Sequence, residues 1–560
     1  MVLVEDNIIA YPKELTRNSL PRKLFPVVAL LIPLIVYVLS LRYYDNIYGF
    51  NVLAAQYALW TNHSFSVGVP NDTISRLIPN IDTIAHNGVY FTAYAPGLAL
   101  IAFPFSAIGF MLDGGKLLSN GNAILMLESF VALTGALASF LTYKICLLFS
   151  RRPFPSLLAA LTLAFSTTAW PFASVGFPHD ATMFFILGAT YAVVHYFSVS
   201  PKPVYLLLGG ISIGIASTLD YVATILVIPI AIYILLQIRI SKSLPSFSRL
   251  ATGFRAAATG RAGLLTLLIG FAATGPLVIL AYNQFVFGNP FDFSEEFFRE
   301  VPAGQRNIGG LEGRFQFGAL PFHMLFNLLS LYRGLFVLSP ILILGLYGLY
   351  KMFRSNNFRL EAALFSALFL CVFVPYSAWD AWYAGGSYGP RFLVPALPFL
   401  VIPTFMIWNR ANLNKAKRIF TGGLYFILFA IGAITQGMGA ITNATPYNVT
   451  PPQPLVYQLT EYAFPYLFKA QLGVWFLHRL YNAGNLRIDL TFVVMLFGSI
   501  LGISGYLIYK CVNHFDENKL QAGVAVRNEQ YERPAKEEKV VFARSSQTPD
   551  PEKSGNPRVS

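Results

Sequence analysis

The sequence predicts an all-α polytopic membrane protein with about a dozen spanning helices and a large first external loop carrying interfacial helices. Three observations carry this. Only 12% of its 560 residues are charged and 55% are hydrophobic, where a soluble domain carries about 25% charged residues. Apolar runs of spanning length, roughly 17–25 residues, recur from Leu24 to Tyr509. The basic residues fall mostly in short loops on one side of those runs, as cytoplasmic loops do. The net charge of +13 is therefore a topology signal, and no nucleic-acid partner is expected.

Taken in order, residues 1–23 read as a basic cytoplasmic N-terminus. The first apolar run follows the stretch from Lys13 to Lys23, lacks a small-residue cleavage site and reads as a retained span. Spans are expected at 24–41, 124–149, 157–171, 181–197, 204–218, 221–238, 263–282, 335–350, 360–376, 392–408, 420–441 and 490–509, so that 24–509 forms one membrane domain. The external loops are 42–123, 283–334 and 442–489. Residues 510–560, polar and rich in Pro, Glu, Lys and Ser, read as a disordered cytoplasmic tail. A multi-pass protein of the cell (plasma) membrane with both termini cytoplasmic is expected.

The run 97–112 is apolar but short, follows Pro96 and contains Pro104. If it does not span, Arg151 and Arg152, the Arg239–Arg261 cluster, Lys351 to Arg359 and Arg410 to Arg418 all lie on the cytoplasmic side with the N-terminus. If it spans, all of these loops move outside. It therefore reads as an interfacial or re-entrant helix on the outer face. The candidate N-glycosylation sites Asn62, Asn71, Asn443 and Asn448 are then all external.

Cys146, Cys371 and Cys511 have no ligand spacing and no disulfide framework. There is no Walker motif, no GxGxxG after a strand, no HExxH and no paired CxxC, which removes support for ATP coupling and the common metal hydrolases. No cofactor is required by the sequence; a divalent cation is left open and a metal site is not assigned.

The acids fall at the outer ends of the spans. Asp45 follows the first, Glu128 lies about a turn inside the second, and Asp180 opens the fourth beside His179. Asp220 sits in the turn between the fifth and sixth, and Asp380 and Arg391 bracket WDAWYAGGSYGPR. Glu361, at an inner end, is the main exception. Ionisable groups at membrane depth tend to mark pathways or sites, and the shared bias suggests a polar cavity opening outward. Arg391, Arg333 and Arg42 are external cations suited to phosphate or carboxylate, or to snorkelling. Trp379, Trp382, Tyr383 and Tyr388 read as an interfacial belt or a sugar-stacking wall.

Seven pieces, in order, resemble the membrane-embedded glycosyltransferases of the GT-C fold, which include protein O-mannosyltransferases and the bacterial aminoarabinose transferase of lipid A. They are Asp45; NGVYFTAYAPGLALIAFPF from Asn87; RRPF from Arg151; FPHD ending at Asp180; YNQFVFGNPFDF from Tyr282; YRGLFVLSP from Tyr332; and GGSYGPRFLVPALPFL from Gly385. The resemblance covers about 24–408. It implies an acid and short membrane-lying helices in the first external loop. The donor would be a sugar on a polyprenyl or dolichyl phosphate, and the acceptor a hydroxyl on a lipid, glycan or protein of the cell envelope. Asp45 is then the catalytic base of an inverting transfer, and Arg391, then Arg333, the partners of the leaving phosphate. Asp82, His179 and Asp180 are candidates for acceptor binding or for orienting the base, and Glu128 and Asp380 for substrate binding. Pro96 and Gly97 would shape the helix holding the donor's head. Two departures stand out: Asp45 is followed by Asn46 where the family often has a second acid, and GISIGIASTLDY carries no Lys or Arg before Asp220. The competing class is a transporter or flippase for a lipid-linked or polar substrate. The nearest enzyme rival is a polysaccharide polymerase or ligase.

Overall fold

The computed structural model describes residues 20–42, 47–67, 83–117, 121–243, 254–294, 315–385, 387–408, 414–442 and 486–532, with isolated positions between 465 and 477. Asp45, Asp82, Asn71, Asn443 and Asn448 lie outside the described residues.

The chain opens with α1 (Leu20–Leu39) and α2 (Ile47–Asn62), then a hairpin of β1 (Thr83–His86) and β2 (Val89–Thr92). Next come α3 (Gly97–Ile101), α4 (Phe103–Leu112), α5 (Asn122–Ser150), α6 (Pro153–Phe165), α7 (Ala169–Ala173), α8 (His179–Ser198) and α9 (Pro203–Leu219). A 3-10 turn (Tyr221–Leu226) leads into α10 (Val227–Ser243), followed by α11 (Phe254–Thr274) and α12 (Pro276–Phe287). Then follow α13 (Leu320–Leu329), α14 (Leu335–Leu338), α15 (Leu342–Arg354), α16 (Arg359–Ala378), α17 (Pro398–Val401), α18 (Lys415–Ile441) and α19 (Leu486–Glu532). Among the described residues, seven helical stretches are long and apolar enough to cross a membrane. The chain is an integral membrane protein.

Proline and glycine explain where the expected runs break. Residues 392–408 form no single helix: they fold as a 3-10 turn (Arg391–Ala396), α17 and a second 3-10 turn (Ile402–Ile407). Pro395, Pro398 and Pro403 each remove a ladder donor there. The run 335–350 divides at Ser339-Pro340, and 263–282 at Gly275-Pro276. The interfacial run 97–112 is two helices meeting at Ala102, with Pro104 in the first turn of the second, where its missing N–H costs nothing. The last helix runs on to Glu532 and does not end near Tyr509. Residues 515–532 are rich in Glu, Lys, Gln, Ala and Leu-type helix formers, which outweigh their polarity.

The hairpin was not expected from hydropathy. Its signal is the dipeptide Asn87-Gly88, with φ of 52° and 76°, the left-handed pair that a two-residue hairpin turn requires.

Close packing of α9 on α11 rests on small residues. A Cβ at Gly210 or Gly214 would overlap the Leu267 carbonyl or the Thr274 hydroxyl, and that hydroxyl donates to the Ile211 carbonyl at 3.0 Å. The two ends of the bundle differ in charge. At one, the Arg152 guanidinium donates to the Trp408 carbonyl and that of Arg418 to the Val512 carbonyl. At the other lie the start of α8, the Asp220 turn and the end of α16. We call these the basic and acidic ends.

The 29-residue α5 is about 43 Å long at 1.5 Å per residue, well beyond a hydrocarbon core of about 30 Å. Its middle faces the first turn of α8: a Cβ at Gly135 would lie 3.1 Å from Asp180 Oδ1 and 3.1 Å from the Tyr37 ring. The turns before Gly135 therefore project roughly 20 Å past Asp180, flanked by α2 and α4. Close approach at Gly109, where a Cβ would be 2.7 Å from the Ala123 nitrogen, seats α4 on that projection.

On α13, Phe322, Leu325 and Leu329 are exposed while His323, Phe326 and Asn327 are buried. Both faces are thus useful in lipid: the outer one is apolar and the inner one packs on the segment after α16.

Candidate active site at the acidic end

Five segments meet where α8 begins. The Arg391 guanidinium lies over the rings of Phe177 at 4.7 Å and Phe392 at 5.0 Å. Phe392 stacks on Tyr376 with centroids 4.4 Å apart and planes at 8°. The Tyr376 phenol donates to Asp220 Oδ1 at 2.6 Å, and the Val222 N–H donates to the same oxygen at 3.0 Å. On the other side, Tyr48, in the first turn of α2, packs on Phe177 at 5.2 Å and on Tyr94 at 3.9 Å. The result is an aromatic bowl holding one arginine and one carboxyl.

His179 forms part of that bowl. Its ring stacks on Phe177 at 5.6 Å and meets Phe172 and Phe392 edge-on at 5.6 and 6.0 Å. The ring is 5% exposed, and neither nitrogen has a hydrogen-bond partner among the described residues. An imidazole without such partners in an aromatic cage holds an unused donor and an unused acceptor. Burial raises the pKa of Asp220, and the donors Tyr376 and Val222 only partly oppose it.

Pro96 and Gly97 are both buried and begin α3 beside this bowl. A Cβ at Gly97 would lie 2.6 Å from the Leu219 nitrogen, so α3 abuts the end of α9 next to Asp220 backbone to backbone.

The other expected residues go elsewhere. Asp180 is fully buried, but it turns away from His179 toward Gly135 and Tyr37, because successive residues on a helix point about 100° apart. Glu128 is fully buried on the projecting part of α5, roughly 10 Å along the axis from Gly135. Asp380 accepts from the Ala381 N–H at 2.8 Å and shapes its own turn. Arg42 is 7% exposed; its Nε donates to the Ala440 carbonyl at 3.2 Å and its Nη2 to the Gly439 carbonyl. It caps the end of α18 rather than reaching for headgroups. Trp382 stacks on His323 at 4.4 Å and Tyr388 donates to the Thr435 carbonyl at 2.8 Å, so both face inward. Asn62 ends α2 and is exposed. Among the described residues, no three His, Cys, Asp or Glu side chains converge as metal ligands.

Sequence reasoning missed Tyr376 and Tyr48, and it carried Phe177 only as the first residue of FPHD, with no role. The one available signal for Tyr376 was a phenol ending an apolar run at the level of an acidic turn.

No protein-family model and no curated protein matches the sequence. Among solved structures, the chain is similar to an oligosaccharyltransferase of Archaeoglobus fulgidus at 13% identity and a TM-score of 0.45, over 76% of this chain and 57% of that one. It is similar to ArnT of Cupriavidus metallidurans bound to undecaprenyl phosphate at 15% identity and a TM-score of 0.44, over 87% and 77%. The arabinosyltransferase EmbB of Mycobacterium smegmatis follows at 11% and 0.41, over 91% and 42%. The chain spans little more than half the length of the archaeal enzyme. Likenesses at these identities and scores are distant, and what the chain does has to be read from its own residues.

Proposed function

We propose that the chain is a membrane glycosyltransferase of the GT-C type. It moves a sugar from a polyprenyl- or dolichyl-phosphate donor to an acceptor hydroxyl at the acidic end of the bundle, with inversion. The observation that carries this is the bowl itself: Arg391 and a buried His179 with unused nitrogens, set among aromatic faces at the mouth of a membrane bundle. A cation there suits a leaving phosphate, and aromatic faces suit a sugar ring.

In the reaction, the acceptor oxygen bonds to the anomeric carbon while the bond from that carbon to the phosphate oxygen breaks. The electron pair leaves with the lipid phosphate, where Arg391 offsets the growing charge. The acceptor's proton passes to a carboxylate, which we assign to Asp45. Tyr48, three residues on, already stands at the bowl. His179 holds the acceptor hydroxyl in line, and Gly97 keeps α3 close enough to wall the donor's head. Both termini and the basic end are then cytoplasmic.

The test is direct. Purified protein in lipid is incubated with radiolabelled polyprenyl-phosphate sugars and membrane-extract acceptors. Transfer that Asp45→Asn abolishes, with donor binding kept, is expected. Absence of both transfer and donor hydrolysis across a broad panel, with folded protein, would sink the proposal and turn attention to lipid flipping.

A further inference from the structure

The helix α13 is built inside out. Its two polar side chains, His323 and Asn327, are buried and grip the end of α16. His323 Nδ1 donates to the Ser377 carbonyl at 3.0 Å, and Asn327 Nδ2 donates to the Ser377 hydroxyl at 3.3 Å. Phe326, beside them, meets Trp382 edge-on at 4.9 Å. Phe322, Leu325 and Leu329, at helical spacing, point outward, and each is more than half exposed, as is Phe317 before them. No Asp, Glu, Lys or Arg stands between Phe315 and Tyr332. The cation that closes this stretch, Arg333, is buried and turns inward, donating to the Tyr332 hydroxyl at 3.2 Å and to the Gly385 carbonyl. A helix lying against water or in the headgroup layer shows that medium a polar or charged face. The outward face of α13 has neither.

The height of α13 agrees. From Arg359 to Ser377, α16 rises about 27 Å at 1.5 Å per residue, and a hydrocarbon core is about 30 Å thick. With Arg359 at the basic edge of that core, Ser377 and the helix it holds stand just inside the other edge. Leu370 and Ala363, about two and four turns from Ser377 on the same face of α16, are exposed. The helix α13 therefore caps a flank of α16 that is bare to lipid below it. At 10 residues, about 15 Å, it is too short to span.

We propose that α13 is a monotopic helix sunk in the hydrocarbon of the leaflet at the acidic end, with acyl chains covering Phe322, Leu325 and Leu329. Lipid is the occupant rather than a second polypeptide, because the outward stripe continues the bare flank of α16. The loop expected to be external over 283–334 is then partly membrane. Through its grip on Ser377, α13 is a lipid-held brace for the end of α16, where Tyr376 meets Asp220. The assignment holds whether or not the chain transfers sugar.

The experiment places a nitroxide at Phe322→Cys, Leu325→Cys or Leu329→Cys, one at a time, in the full chain in phosphatidylcholine nanodiscs. Cys146, Cys371 and Cys511 are changed to Ala in that background. Asn62→Cys, at the exposed end of α2, is the aqueous reference. Collision rates are read with oxygen, which enters hydrocarbon, and with a water-soluble nickel chelate, which does not. The ratio of oxygen to chelate collisions at all three positions is expected to exceed that at Asn62→Cys by at least roughly tenfold, since a polar solute is excluded from hydrocarbon. A second measurement leaves the cysteines in place: Phe322→Trp and Leu325→Trp should each add emission that brominated phosphatidylcholine quenches and aqueous acrylamide does not. Chelate access like that of Asn62→Cys, or acrylamide quenching of the added tryptophans, would put α13 in water and overturn the proposal. Positions that neither oxygen nor chelate reaches, with tryptophans that neither quencher touches, would overturn it in favour of a polypeptide cover.

Discussion

The phenol of Tyr376 and the carboxyl of Asp220 are joined by a 2.6 Å hydrogen bond that ties the end of α16 to the turn after α9. Tyr376→Phe removes the donor and leaves a half-buried carboxyl oxygen with the Val222 N–H alone. A loss of about 1–3 kcal/mol is expected, read as a lower melting temperature in lipid. A variant as stable as wild type would mean that water replaces the phenol.

Asp220 also predicts a pH dependence. Burial raises its pKa in the folded protein. Between the ordinary carboxyl value and the raised one, the native state therefore binds more protons than the unfolded chain. Stability falls as pH rises through that window, and the contribution is fully present only below the unfolded value. Melting curves of wild type and Asp220→Asn across the acid range should show wild type gaining on the variant as pH falls. Parallel curves would remove Asp220 as a source of pH dependence.

His179→Phe separates chemistry from packing. The ring contacts are kept, and two buried nitrogens without hydrogen bonds are removed. Stability should hold or rise slightly, while sugar transfer drops by at least roughly tenfold, equivalent to one hydrogen bond of about 1.4 kcal/mol. Wild-type transfer rates would confine His179 to packing.

Arg391→Lys keeps the charge but loses the planar fork stacked between Phe177 and Phe392. A fall in kcat/KM of roughly ten- to a hundredfold is expected. Full activity would show that a point charge is enough.

Gly97→Ala places a methyl against the Thr218 and Leu219 backbone, which has no side chain to move aside. A cost of about 1–3 kcal/mol and weakened donor binding are expected. Gly318→Ala, where nothing lies within 4 Å, is the control and should behave as wild type.

Much of the bundle was legible because lipid imposes a simple demand. A spanning helix must be apolar for most of its length, and that is visible residue by residue. The breaks at Pro340, Pro398 and Pro403 were visible too, but hydropathy averages over them. The bowl was legible in part. His179, Arg391, Pro96 and Gly97 come together, as their shared placement at outer ends suggests. Asp180 parts from His179 because the face each presents depends on helix rotation, which an all-round apolar helix does not reveal. The pairing of Tyr376 with Asp220 joins residues 156 apart in sequence, and nothing local announces it. Arg42 was misread because its carbonyl partners, at Gly439 and Ala440, come from the far end of the chain.

The projecting turns of α5, with α2 and α4 beside them, stand as a rampart on one flank of the bowl. Asp180, and His179 with it, lies roughly 20 Å below the top of that rampart. On the proposed function, a folded globule resting on that flank would stop short of the reacting carbon. An extended peptide covers such a drop in about six residues at 3.3–3.6 Å each, and a lipid tethered in the bilayer arrives from below without crossing it. On the proposed function, that height acts as a ruler for acceptors that approach over this flank, admitting them by how far their hydroxyl hangs from whatever carries it.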